Sequence, residues 1–217
     1  MNVLSLDPGT ANCAWVLLID GLPKKWGGWL KDNSWSQIPV DVRCHRISRA
    51  VSGLLSLYDV DVLISERYFH GSKQSGKTIY DRGRLDLWVD LAAGHIPRYY
   101  IHPIHLKQWV TGNHKAGKEE MADAIMQHPA ISSRGLHESE SFLDTIHAAL
   151  KPAQREHVLE AFALGWVGTV CEWVRLGYTV ELTRQQRELV GRIFKNGNPS
   201  LPMFDQAVGI PPVKEPE

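Results

Sequence analysis

The chain has 217 residues, 43% of them hydrophobic, enough for one sizeable core. Its 24 basic and 24 acidic side chains cancel, which excludes the global positive field of many nucleic-acid binders, so any anionic partner has to be held by a local patch. Cys13, Cys44 and Cys171 are far apart and odd in number, giving neither a disulfide framework nor a metal knuckle; a reducing, cytoplasmic setting follows. The longest apolar run, Ala161 to Cys171, is too short to span a membrane, and no basic-then-apolar signal opens the chain.

The first predicted strand runs from Val3 and ends on a carboxylate, Asp7; Pro8-Gly9-Thr10 then turns the chain, Gly9 permitting a positive φ, so that Ala14 to Ile19 returns as a hairpin partner. Leu22 to Leu30, with Pro and Gly at turns and Trp26 and Trp29 as flanks, completes a three-stranded meander of short antiparallel pieces. From Val40 to Tyr58, Cys44, Ile47, Val51, Leu54, Leu55 and Tyr58 recur at helical spacing. Val60 to Glu66 is a β-branched strand that again closes on an acid.

After a polar loop, Gly71 to Gly76, the segment Thr78 to Ala93 predicts a helix with Ile79, Leu85, Trp88, Leu91 and Ala92 as its apolar set and Gly94 as its stop. Pro97 to Ile101 is the next strand, Ile104 to Val110 a short helix, Thr111 to His114 a turn, and Lys115 to Gln127 a helix. Pro129 to Ser141 reads as loop, and Phe142 to Leu150 as a helix stopped before Pro152. Glu156 to Leu176 is a buried helix; Thr183 caps a last one running to Lys195, and a proline-bearing tail follows.

Two strand-end carboxylates and one buried helix that opens on His157 and Glu160, three residues apart on one face, form the constellation that matters. Asp7, Glu66, His157 and Glu160 converge if that helix packs over the sheet where the acidic strands end. Such a cluster repels itself unless divalent cations fill it, and an oxygen-rich set with one imidazole favours Mg²⁺, with Mn²⁺ as substitute. Two ions about 4 Å apart activate a water and stabilise a leaving 3′ oxygen, which is nuclease chemistry. Around it, the basic residues Arg67, Lys73, Lys77, Arg82, Arg84, Arg98, Lys107, Lys115 and Lys118 outnumber Asp81, Asp86 and Asp90, supplying the local patch for phosphates.

Four blocks in order resemble the RuvC Holliday junction resolvases: Leu4-Ser-Leu-Asp7-Pro-Gly-Thr10; Ile64-Ser-Glu66-Arg-Tyr-Phe69; Ile101-His-Pro-Ile-His-Leu-Lys107-Gln-Trp-Val-Thr-Gly112 with Ala116-Gly-Lys118; and His157-Val-Leu-Glu160-Ala-Phe-Ala-Leu. Glu stands at 160 where Asp is usual. The resemblance implies an α/β fold with an RNase H-like mixed five-stranded sheet flanked by helices, here with a helical insertion at about 129–155 in a nuclease domain of 1–177, followed by a helix and tail over 178–217. It implies metal-dependent nicking of four-way or other branched DNA by a homodimer, with Asp7, Glu66, His157 and Glu160 catalytic and metal-binding. Phe69 would stack on an opened base, and Lys73, Lys77, Arg82, Lys107, Lys115 and Lys118 would hold DNA. The Thr78 to Ala93 helix, with Trp88 and Leu91, is the expected dimer interface. A bacterial or phage origin suits it.

Three alternatives stay open. Phe142-Leu-Asp144-Thr-Ile-His147 mimics the last block, making Asp144 a reserve ligand. Gly71-Ser-Lys-Gln-Ser-Gly76-Lys77-Thr78 matches a phosphate-binding loop, although a nucleotide hydrolase needs an acid on a later strand for its Mg²⁺, and Asp90 falls inside the helix the loop would launch. A catalytically inactive binder of branched DNA is the third. An actin-type Asp-Gly-Thr reading of Asp7 to Thr10 lacks the second phosphate loop.

Overall fold

The structure is a computed structural model that describes residues 1–30, 33–66, 76–132 and 141–195. Five strands form one sheet in the order β3-β2-β1-β4-β5: β1 (Asn2–Asp7), β2 (Cys13–Ile19), β3 (Leu22–Trp29), β4 (Val62–Glu66) and β5 (Arg98–Ile101). β1, β2 and β3 are an antiparallel meander, whereas β4 and β5 run parallel to β1, so the expected mixed five-stranded sheet is present. β3 is one continuous eight-residue strand with a register shift opposite Leu17/Leu18, not the short pieces expected from its Pro and Gly.

The β2–β3 turn is Asp20-Gly21, both with positive φ (50° and 79°), the requirement of a type I′ hairpin. Gly9 departs from the expected turn conformation. It does not have positive φ; its constraint is contact, since a Cβ there would lie 2.3 Å from the Asn12 carbonyl oxygen.

Side chains alternate along each strand, and the two faces fill separate cores. On one face Leu4, Leu6, Leu17 and Leu63 meet α2 (Val40–Leu57) and α3 (Gly76–Ala93), with Trp35 of the short α1 (Asn33–Gln37) at the edge. The predicted stripe of α2 is buried at Cys44, Ile47, Val51 and Leu55. On α3 the buried residues are Leu85, Val89 and Ala93, while Trp88 (36%) and Leu91 (66%), expected in its apolar set, are exposed.

The opposite face, Val3, Val16, Leu18, Val62, Ile64, Tyr99 and Ile101, is covered by α4 (Pro103–Thr111), α5 (Lys118–Met126), α6 (Pro129–Ser132), α7 (Phe142–Ala149), α8 (Pro152–Arg175) and α9 (Arg184–Lys195). Gly112, at φ 76°, caps α4 as the expected turn. α5 begins three residues later than its periodicity implied, because Lys115 and Ala116 belong to the turn and Gly117 is the cap. Part of the stretch read as loop is helical, α6. Pro152 does not merely stop α7; it sits in the first turn of α8, where its missing N–H costs nothing.

Within the segment read as an insertion, Ile131 and Ile146 are fully buried, and Leu189, Val190 and Ile193 of α9 join the same core. The Thr183 hydroxyl accepts from the Gln186 amide (3.2 Å) and the Gln186 side chain accepts from the Thr183 amide (3.0 Å), the expected cap.

α8 lies unusually close to the sheet. A Cβ on Gly165 would be 2.3 Å from Leu18 and 2.8 Å from the Ser5 hydroxyl; one on Gly168 would be 2.4 Å from Ile64. This close seat carries the N-terminal half of α8 towards the carboxyl ends of β1 and β4. No helix among the described residues is long and apolar enough to cross a membrane, and the three cysteines are free and buried.

Candidate metal centre

The register fixes the first two acids. Leu6 pairs with Ser65 on parallel strands, so Asp7 and Glu66 follow at neighbouring strand ends, on the side facing α8. Val3 and Ser5 precede Asp7 on that side, and Val62 and Ile64 precede Glu66. From α8, His157 and Glu160 project to the same place, one turn apart. Ligand atoms of Asp7, His157 and Glu160 all lie within 4.8 Å of one another, the set of potential metal donors that the described residues bring together.

Glu66 stands beside this trio, outside that limit. Its carboxylate is 3.8 Å from the Arg82 guanidinium. Asp144, the reserve ligand, is elsewhere: its carboxylate accepts from the Ser141 amide (3.2 Å) and hydroxyl (2.7 Å), capping α7.

Asp7 is buried, and its Oδ2 is 2.6 Å from His157 Nδ1, which donates to it when the ring is protonated. That bond raises the His157 pKa against the opposing effect of burial. Burial, then the Asp7 charge, pushes Glu66 up to about 8 despite Arg82, and the same two causes push Glu160 up to about 7 despite His157 and Lys118. Two carboxyls whose ionisation is opposed by burial and by the nearby Asp7 make a site short of positive charge. The donor set, carboxylate oxygens plus one imidazole, is one that hard divalent cations accept.

The expected DNA-binding residues divide. Lys115 and Lys118 are exposed beside the Gly112 turn; Lys118 Nζ lies 2.9 Å from Glu156 Oε2 and electrostatically opposes the charge of Glu160. Lys107 is half-buried and donates to the Ala116 carbonyl (2.8 Å), bracing that turn. Arg82 and Arg98 do not face solvent: their side chains are 14% and 5% exposed, paired with Glu66, Asp86 and Asp90, because both reach inward between α3 and the sheet. Phe69, Lys73 and the loop 71–75 lie outside the described residues, as does the Lys77 side chain.

For the nucleotide-hydrolase alternative, Asp90 is a helix residue accepting from Arg98 and from the Tyr100 hydroxyl (2.7 Å), and β5 is the strand that follows the loop among the described residues. Sequence reasoning missed Arg82 and Arg98 as partners of Glu66, Asp86 and Asp90; the i, i+4, i+8 spacing of Arg82, Asp86 and Asp90 was the available signal.

No protein-family model matches the chain. Among curated proteins it is 29% identical over 160 residues to the crossover junction endodeoxyribonuclease RuvC of Wolinella succinogenes, covering 71% of this chain and 95% of that protein. It is 33% identical over 128 residues to RuvC of a Sulfurovum species, covering 56% and 77%. The solved structure of Thermus thermophilus RuvC in complex with a Holliday junction substrate superimposes with a TM-score of 0.59 at 21% identity, over 82% of this chain and 96% of that one. With sheet order 3-2-1-4-5, flanking helices and this similarity to curated relatives, the chain has an RNase H-like fold and belongs to the RuvC family of Holliday junction resolvases.

Proposed function

We propose that the chain is a Mg²⁺-dependent endodeoxyribonuclease that nicks four-way or other branched DNA, acting as a homodimer. The observation that carries this reading is the convergence of Asp7, His157 and Glu160 within 4.8 Å, with Glu66 on the adjacent strand end.

Asp7, Glu66, His157 and Glu160 would hold Mg²⁺, two ions per site, Mn²⁺ substituting. When bound, the ions supply an acidified water and neutralise charge on the leaving 3′ oxygen. The protein's part is to prepare that place. Asp7 holds the His157 ring by Nδ1, and for the imidazole to act as a ligand its extra proton must leave, as must those on Glu66 and Glu160. Lys115 and Lys118 grip phosphates without regard to sequence, while Lys107 keeps the Gly112 turn in shape. Phe69 is proposed to stack on an opened base, with Lys73 and Lys77 on the backbone. Tyr80 (62%), Leu87 (59%), Trp88 and Leu91 present a row of exposed apolar side chains along α3, which supports that helix as the dimer contact.

The test is a synthetic four-way junction with Mg²⁺. The wild-type chain should nick it, and Asp7→Asn should bind it equally in Ca²⁺ yet leave it uncut. Binding by both proteins with no cutting by either, in Mg²⁺ or Mn²⁺, would leave a junction binder and end the enzyme reading.

A further inference from the structure

We propose that Arg82 is a positioning residue for the metal centre, fixing the Glu66 carboxylate from the opposite side of the sheet; this rests on Glu66 being a metal ligand. Alternation along β4 sends Val62, Ile64 and Glu66 towards α8, whereas Arg82 belongs to α3 on the other face. At the carboxyl end of the strand the guanidinium crosses from one layer to the other. Arg82 Nη2 lies 3.8 Å from Glu66 Oε2 and 3.5 Å from the Glu66 carbonyl oxygen, touching both ends of one residue.

The support behind Arg82 is built, not incidental. One turn later on α3, Asp86 Oδ1 stands 3.8 Å from Arg82 Nε and 3.5 Å from Arg98 Nη2. Arg98, from β5, also donates to the Asp86 carbonyl (3.1 Å), to the Asp90 carboxylate and to the Ser65 hydroxyl (3.1 Å), and its guanidinium stacks 4.3 Å from the Tyr100 ring centre. Ser65 is the residue immediately before Glu66. Two arginines that share Asp86 as an ionic neighbour therefore meet two successive residues at the end of β4, Arg98 by a hydrogen bond to Ser65 and Arg82 by its ion pair with Glu66.

Energetically this is an odd place for an arginine whose only task is stability. Its Nε is buried with no hydrogen-bond partner among the described residues, a cost that a surface ion pair would avoid. What it gains is order at Glu66: a flexible three-torsion side chain at a strand end samples several rotamers unless held, and a ligand already in place does not lose that freedom on binding.

The sign of one measurement separates positioning from charge. A cation that merely competes with a metal should, once removed, let the metal bind more tightly; a group that aims a ligand should, once removed, let it bind more weakly. The probe is Mn²⁺ alone, titrated into the full chain and followed by calorimetry and by the free-ion electron paramagnetic resonance signal. Arg82→Met, which keeps the aliphatic stem and its packing, should weaken Mn²⁺ binding about tenfold or more. Arg82→Ala serves as the second variant, with thermal melts confirming that each is folded.

The same substitution in a Glu66→Gln background should cause no further loss, because the group it aims is gone. Unchanged or tighter Mn²⁺ binding by folded Arg82→Met and Arg82→Ala overturns the proposal, as does an equal loss in the Glu66→Gln background. If Glu66→Gln itself leaves Mn²⁺ affinity unchanged, the metal role of Glu66 has failed, and the positioning role falls with it.

Discussion

Gly168→Ala tests whether the close seat of α8 sets both stability and the geometry of the candidate metal centre. The new methyl would lie 2.4 Å from Cγ1 and Cδ1 of Ile64 and 3.1 Å from its Cγ2. Carbon atoms sit about 3.5 Å or more apart in good contact, so roughly 1 Å of space is missing. Ile64 is fully buried in the strand beside β1 and has nowhere to go. Overpacking costs about 1–3 kcal/mol; three crowded atoms argue for the upper end, and the helix preference for Ala over Gly returns about 1.

The expected net loss from Gly168→Ala is therefore about 2 kcal/mol, a fall in Tm of roughly 4–8 °C for a chain of this size. The clash also reaches the centre. Glu160 lies eight residues, about 12 Å, up the same helix. A lift of the helix by about 1 Å separates it from Asp7, and misplacement on that scale can cost about a hundredfold in rate. Thermal melts and single-turnover nicking give the two readouts, and Ile64→Val, which removes Cδ1, should recover part of both in the double variant. A Gly168→Ala protein that melts at or above wild type would show that helix propensity dominates and that the close approach constrains nothing.

Without metal, Glu66 (about 8), Glu160 (about 7) and His157 all bind protons more tightly when folded than their ordinary values of 4.5, 4.5 and 6.5, so the folded state holds more protons and stability falls as pH rises through that window. The Tm of the metal-free chain should drop between about pH 5 and pH 8 more steeply than that of Glu66→Gln, and Mn²⁺ should bind more tightly at the higher pH with release of protons; equal slopes for the two proteins would refute the assignment. Leu87→Glu with Leu91→Glu, at positions 59% and 66% exposed, should leave the melt intact while converting a dimer to a monomer in sedimentation; identical masses for wild type and variant would remove α3 from the interface.

The residues of the candidate centre stand out in the sequence because each is an anomaly in one dimension: Asp7 and Glu66 end apolar strands, and His157 and Glu160 open an apolar helix. The inward-facing arginines behind Glu66 do not. Arg82 and Arg98 stand among basic residues that composition cannot tell apart, and only the three-dimensional arrangement shows that they turn inward. The buried face of α3 was misjudged for a related reason: Leu85, Leu87, Trp88, Val89 and Leu91 are spread around the helix, and periodicity cannot choose between faces when apolar residues stand on several of them. Gly9 and Pro152 show the limit of residue-type rules. Each residue permits several conformations, and the Asn12 carbonyl and the first turn of α8 selected among them.

The centre also inherits its precision from the core. Asp7 points at α8 because Val3 and Ser5 do, and Glu66 because Val62 and Ile64 do. A slip of one residue in the β1–β4 register would bury the wrong alternate side chains on both faces, so the packing that excludes such a slip also fixes which side of the sheet receives the carboxylates. α8 is then drawn in by Ser5, Gly165 and Gly168, small residues at the points of contact, and delivers His157 and Glu160 at a height set by that contact. Candidate ligands held by two strands and a helix pressed against them are placed by the whole hydrophobic interior, which is why a single methyl group about 12 Å away is expected to disturb them.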